Sequence, residues 1–224
     1  MSGTTNSLQR RDSAARIAAR FRQPWHRNYA LNKLRFDPAY AAVATLIEHD
    51  GFDLLDVGCG LGLLGFHLRA QGFRGDYRGI DFDVKKIAAA RAAAGDEAGL
   101  AFEEGDARGL PAFHGHVALI DVLHYLPASA QSPLLLDAAA RVAPGAALII
   151  RSVLRQPGWR FRVTALEERL IYAMGWMRSR ALHFPTREDI EAPLRSVGLD
   201  VGVRPLWGNT PFNSFMIVAR RPPG

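Results

Sequence analysis

Leu54-Leu-Asp-Val-Gly-Cys-Gly-Leu-Gly-Leu-Leu-Gly65 is the stretch whose reading decides the fold of this chain. An apolar run enters it, alternating glycines follow, and a helix-like segment leaves it. A strand that stops in such a turn presents bare backbone at its carboxyl end. Gly58, Gly60 and Gly62 carry no Cβ, so a ligand can lie directly against the main chain. The next helix aims its free N–H groups at the same spot. The spacing predicts a site for a nucleotide-like ligand. Gly60-Leu-Gly62-Leu-Leu-Gly65 also fits the dinucleotide fingerprint, which is too loose to name the ligand. A Gly-rich turn that merely packs a helix on a sheet is the plain alternative.

Outward from this turn, strand and helix signals alternate. Strand-like segments lie near Asp53–Val57, Asp76–Asp81, Leu100–Glu104, Val117–Asp121 and Ala147–Val153. Helical segments lie at Pro38–Glu48, Leu63 to about Gln71, Val84–Ala94 and about Gln131–Val142. Val117–Asp121 is a continuous apolar run of the kind buried in a parallel sheet. Near the end, Leu199–Val203 and Phe215–Ala219 read as strands joined by a short turn-like segment from Gly208 to Asn213. Strands so connected must be antiparallel. The expected architecture is an α/β, doubly wound Rossmann-like sheet, mostly parallel with a C-terminal antiparallel strand, in three α/β/α layers. Ligands bind such sheets at the carboxyl ends of the strands. Asp56, Asp81, Asp106 and Asp121 all fall at predicted strand ends.

In this order the motifs resemble those of the class I S-adenosylmethionine-dependent methyltransferases. Asp56-Val-Gly-Cys-Gly-Leu-Gly62 resembles the family's glycine motif, Ile80-Asp81 its ribose-binding acid, and Gly105-Asp106-Ala107 its adenine-side motif. His116–Leu126 and Val142–Ile150 are similar to its fourth strand with the following loop and the entry to its fifth. A narrower resemblance, to small methyltransferases of aryl-polyene pigment clusters, rests on Asp121-Val-Leu-His-Tyr-Leu126, His183-Phe-Pro-Thr-Arg187 and Pro205–Asn213.

The resemblance implies S-adenosylmethionine as cofactor. Asp81 is then expected to accept from both ribose hydroxyls, which suits a carboxylate. An acid capping the following helix fits Asp83 better. Asp106, with Ala107 beside it, is expected at the adenine amino group. Phe82 is expected either against adenine or in apolar packing. Asp56 would hold the glycine turn, with Cys59 as a small filler rather than a nucleophile. Lys33 and Tyr29 are candidates to close over the methionine carboxylate.

His124 is the candidate base, since its ordinary pKa lies near neutrality. A histidine capping the next helix is the structural alternative. Asp121 and Tyr125 are neighbours that could orient the acceptor, Asp121 also counting toward the cofactor set. His183 is a weaker second base.

The chain has 224 residues, 48% of them apolar. Residues 1–37 read as an N-terminal arm or cap, with a frayed tail entering an Ala-rich helix after Asp12 or Ser13. Residues 38–224 read as the methyltransferase domain, with an insert or lid at about 154–187. Within the insert, Thr164-Ala-Leu-Glu167 fits a capping box. Leu166, Leu170, Ile171, Met174 and Met177 recur at helical spacing. This stripe either packs on the sheet or, with Trp159, Phe161 and Trp176, lines an acceptor pocket. A single cysteine excludes a disulfide framework and a cysteine-based zinc site, and no metal is expected. No signal peptide or bilayer-spanning run is visible, so a cytoplasmic location is expected.

The formal charge is +6, from 28 Lys and Arg against 22 Asp and Glu. The arginines cluster in the arm and in Arg151–Arg180, but no nucleic-acid module accompanies them. The expected partner is a small acceptor, aromatic or lipid-like, free or carrier-protein-bound, methylated at oxygen. A peripheral membrane contact through the Arg/Trp-rich insert is an alternative. The competing functions are an NAD(P)-dependent oxidoreductase and a non-catalytic binding protein on the same fold.

Overall fold

The computed structural model describes residues 2–47, 51–173, 181–207 and 210–223. The chain divides into two compact units, Met1–Asp106 and Ala107–Gly224. Its seven strands are ordered β3-β2-β1-β4-β5-β7-β6 in one sheet.

In the first unit three helices precede the sheet: α1 (Ser2–Ala19), α2 (Pro24–Phe36) and α3 (Ala39–Leu46). The α1 helix starts well before Asp12, where the sequence suggested a frayed tail. Nothing between Ser2 and Ala19 breaks a helix except Gly3, which sits in its first turn. Pro24 opens α2 at a position where its missing N–H costs nothing. Pro38 is the N-cap of α3, and Glu48 lies outside the described residues. There follow β1 (Leu54–Val57), α4 (Leu63–Ala70), β2 (Tyr77–Asp81), α5 (Val84–Ala94) and β3 (Leu100–Glu104). The three strands are parallel, with Asp56 opposite Gly79 and Asp81 opposite Glu104.

Aromatic rings tie this unit together. Phe21 meets Phe66 of α4 edge-on at 5.9 Å, and Phe66 meets Phe102 of β3 at 5.6 Å. Phe102 in turn lies 5.6 Å from Tyr77 of β2. Gly62, at φ 70°, is the N-cap of α4, and a Cβ there would stand 2.1 Å from the Phe102 ring. That glycine is needed twice over, for its left-handed backbone and for the ring beside it.

The second unit holds β4 (His116–Ile120), a 3-10 turn (Leu123–Tyr125), α6 (Ala128–Ala139), β5 (Ala147–Val153), α7 (Trp159–Ala173), α8 (Arg187–Ser196), β6 (Asp200–Pro205) and β7 (Ser214–Arg220). β4 and β5 are parallel, whereas β7 runs antiparallel to both β5 and β6. β5, flanked by a strand on each side, is buried along its length except at Arg151. This accounts for its apolar run.

Four readings of this half need correction. β4 ends at Ile120, so Asp121 lies beyond it. α6 begins at Ala128 rather than Gln131 and carries Pro133 inside it. α7 begins at Trp159, so Thr164 is no N-cap; its Oγ1 donates to the Arg160 carbonyl one turn back. The sequence reading also passed over α8. Its signal was present, because Thr186 and Asp189 form a reciprocal capping box. Of the residues read as an insert stripe, Met174, Trp176 and Met177 lie outside the described residues, as do Gly208 and Asn209 of the tail turn.

Candidate active site

In the first unit the glycine turn is fastened to the end of β2 through its backbone. The Gly58 and Cys59 N–H groups both donate to the Ile80 carbonyl, at 2.8 and 3.0 Å. The Gly60 N–H donates to Asp81 Oδ2 at 2.8 Å. Asp81 Oδ1 accepts from the Asp83 N–H at 2.8 Å, and Asp83 Oδ1 caps α5 by accepting from the Lys85 and Lys86 N–H groups. An unbroken run of bonds thus links the turn, Asp81, Asp83 and the start of α5. Asp81 is only 6% exposed. A carboxylate offers about four acceptor positions, so two backbone bonds leave room for the ribose hydroxyls expected there.

Above Gly60 the space is open. A Cβ there would meet nothing within 4 Å except Lys86 Cδ at 3.9 Å, and φ is +56°. The residues fit a nucleoside-bearing ligand: bare backbone at Gly60, the buried Asp81 carboxyl bonded to it, and exposed Phe82 next to Asp81 in sequence. Phe82 is 63% exposed, so the apolar-packing role is not realised.

Asp56 does not bond the turn. Its Oδ2 accepts from the Tyr77 hydroxyl at 2.5 Å, and both side chains are buried. Burial raises the Asp56 pKa to about 7; the Tyr77 hydrogen bond opposes the rise and the Asp81 charge adds to it. Burial, with Asp56 and Asp81 nearby, also holds the Cys59 thiol protonated. The thiol sits against Gly79, where a Cβ would approach Sγ to 2.8 Å.

Lys33 pairs with Asp37 one turn along α2, at 2.9 Å. Tyr29 is exposed and its ring lies 5.7 Å from Trp25. His26 was not singled out, yet it is buried with its electrostatic neighbours Asp83 and Lys86 at the α5 N-terminus. Burial lowers its pKa. Asp106 is exposed at the end of this unit, and Ala107 is half-buried at the start of the next.

In the second unit the ends of β4, β5 and β7 gather a separate cluster. Asp121 has φ 61°, the one non-glycine residue with a left-handed backbone among those described. Its N–H donates to the Arg151 carbonyl and its carboxylate pairs with the Arg151 guanidinium. Arg151 also donates to Ser214 Oγ at 2.9 Å. Such strain in a non-glycine residue costs roughly 1–3 kcal/mol and persists only where surroundings enforce it. Here the ion pair does so.

His124 is 1% exposed. Its ring lies 4.2 Å from Tyr125 and stacks on Phe184 at 5.8 Å, and Phe161 of α7 meets Phe184 edge-on at 5.5 Å. The His124 carbonyl accepts from the Leu182 and His183 N–H groups. Buried Gln131 completes the arrangement by donating to the Leu123, Leu126 and His183 carbonyls. The cap of α6 is Pro127, so His124 does not cap that helix. Arg151, Ser214, Gln131 and Phe184 were missed in sequence because only tertiary contacts assign them.

Residues 54–145 match the family model described as a methyltransferase domain. That stretch is similar to a methyltransferase domain and spans less than half of the chain. No curated protein matches the sequence. Among solved structures, the chain is similar to an O-methyltransferase family protein from Burkholderia thailandensis, with a TM-score of 0.67 at 20% identity. That match covers 93% of this chain and 62% of the other, so this chain spans less than two thirds of that protein. It is also similar to magnesium protoporphyrin IX methyltransferase from Synechocystis PCC 6803 with bound SAH, with a TM-score of 0.66 at 19% identity, covering 94% and 93%. The [4+2]-cyclase SpnF aligns with a TM-score of 0.65 at 18% identity, over 91% of this chain and 85% of the other. At such identities these likenesses establish the fold. Among the described residues no helix is long and apolar enough to cross a membrane, and no group of acids, histidines and cysteine is arranged to hold a metal.

Proposed function

We propose that this protein is an S-adenosylmethionine-dependent methyltransferase that acts at an oxygen of a small, aromatic or lipid-like acceptor. The observation that carries the reading is the Gly60–Asp81 bond, which fixes open, side-chain-free backbone beside a buried carboxylate. The cofactor supplies an activated methyl group. The chain supplies orientation, exclusion of water and a place for a proton.

In this reading Asp81 holds the ribose, and Asp106 with Ala107 flanks the adenine. Asp56 contributes negative charge near the amino-acid end. His124 takes the acceptor proton, with Tyr125 and Asp121 orienting the acceptor. Burial keeps water from competing at His124. The arm, residues 1–37, acts as a cap.

The insert acts as a lid whose α7 reaches the His124 region through Phe161 and Phe184. Trp159, Val163 and Leu166, spaced along one side of α7, are exposed apolar side chains that support a lipid-like or aromatic acceptor. In-line positioning of the two reactants supplies much of the acceleration.

The test is calorimetry with S-adenosylmethionine, S-adenosylhomocysteine and NAD(H), followed by transfer of a labelled methyl group to phenols and hydroxylated lipids. Binding of the first two and not the third is expected. Binding of NAD(H) alone would replace this reading with the oxidoreductase.

A further inference from the structure

Tyr77 lies on β2, outside every motif by which the site was recognised, and its ring occupies a slot that glycines keep open. A Cβ at Gly65 of α4 would stand 2.7 Å from the Tyr77 ring, and one at Gly79 would stand 3.0 Å from it. The ring is fully buried, with 1% exposure. From this slot the hydroxyl donates to Asp56 Oδ2 at 2.5 Å. The geometry leaves the hydroxyl little freedom, because the ring sits tightly against Gly65 of α4 and Gly79 of its own strand.

We propose that Tyr77 is the positioning residue of the cofactor cradle: its hydroxyl clamps the Asp56 carboxyl beside the glycine turn, so that capture of the cationic cofactor and ionisation of that carboxyl are coupled. The proposal rests on the cofactor reading above. Asp56 stands two residues before Gly58, with only Val57 between them. A carboxyl so buried favours its neutral form, and a cationic ligand favours the charged one. The titratable groups bearing on Asp56 in this unit are Tyr77 and Asp81 from β2 and Cys59 from the turn. Asp81 pushes toward the neutral form, and Cys59 is itself neutral. Tyr77 is therefore the group here that favours the carboxylate. The proton lost on binding passes to the buffer.

Two measurements decide the matter, and neither uses turnover. The first is a 13C NMR titration of the Asp56 carboxyl in the ligand-free protein, for wild type and for Tyr77→Phe, which keeps the ring in its slot. Wild type should titrate close to neutrality, and Tyr77→Phe should titrate about one pH unit higher or more. An unchanged midpoint, or a wild-type midpoint near 4, overturns the proposal. The second is the affinity for S-adenosylmethionine as a function of pH. Below the Asp56 midpoint, affinity should rise about tenfold per pH unit and level off above it. Tyr77→Phe should move that rise to higher pH, and Asp56→Asn should remove it. A Tyr77→Phe protein that only melts earlier, with its pH midpoint in place, makes Tyr77 a packing residue and overturns the proposal. A wild type that titrates as expected but binds no S-adenosylmethionine at any pH defeats the methyltransferase reading, and with it the coupling to capture, while the clamp itself stands.

Discussion

Asp81 Oδ2 accepts the Gly60 N–H at 2.8 Å, so the acid at the end of one strand holds the turn that ends its neighbour. The bond crosses 21 residues of sequence. Removing it acts on the shape of the turn and on the ligand together. In Asp81→Ala, S-adenosylmethionine affinity should fall at least tenfold, because hydrogen bonds to a charged group contribute about 1.5–3 kcal/mol each. Calorimetry on the folded variant checks this, and unchanged affinity would remove Asp81 from the site.

Asp56 gives the protein a pH-dependent stability of unusual sign for an acid. Its folded pKa is raised to about 7 from 3.8. The folded state therefore holds the proton more tightly than the unfolded chain does. The resulting stabilisation is complete below the unfolded value and is lost as pH rises through the folded one. Between pH 4 and 7 the loss is on the order of 3–4 kcal/mol at most, at about 1.4 kcal/mol per pH unit. Melting temperatures of wild type should fall over this window relative to Asp56→Asn. Parallel curves for the two proteins would show that the carboxyl titrates normally.

Polar replacement of the exposed stripe on α7 separates lid from core. Trp159 and Leu166 are 60% and 59% exposed, so Trp159→Ser and Leu166→Ser should change stability by no more than about 0.5 kcal/mol. Acceptor turnover should fall while S-adenosylmethionine affinity stays. Parallel loss of cofactor affinity, acceptor use and melting temperature would mean that the stripe packs in the core.

His124→Ala should lower turnover by about a hundredfold or more on phenols of ordinary acidity, with S-adenosylmethionine binding nearly unchanged. An unperturbed phenol has a pKa of about 10, so more acidic phenols should be less sensitive. Because His124 is buried, the variant also loses packing, and His124→Gln serves as the control for volume. Wild-type turnover with a wild-type pH profile in both variants would assign His124 a purely structural role.

What the sequence disclosed follows from the range of the forces involved. α5 was legible to the residue, since Asp83 caps it and Gly95 ends it within its own span. The bounds of β3 and β5 were equally plain, those of β5 from its apolar run. Contacts that depend on strand register were not. The sequence suggested that Asp56 holds the glycine turn, but the register of β1 against β2 lets Asp81 reach Gly60 and brings the Tyr77 hydroxyl to Asp56. The Asp121–Arg151 pair spans 30 residues and joins the loop after β4 to β5, so neither residue announces the other. His124 could be placed past β4, but not between Tyr125 and Phe184. α8 escaped notice although its capping box is local, because Pro193 interrupts the helical pattern soon after.

The slot around Tyr77 has a consequence for how this chain can vary. Gly65 cannot acquire a side chain while Tyr77 keeps its ring, since the added carbon would stand 2.7 Å from it. Shrinking Tyr77 to make room would strip Asp56 of its hydroxyl partner. Each single step is therefore harmful even where the pair of changes is tolerable. Among diverging descendants of this sequence, positions 65 and 77 should be inherited and exchanged together, as one unit of covariation that spans a helix and a strand.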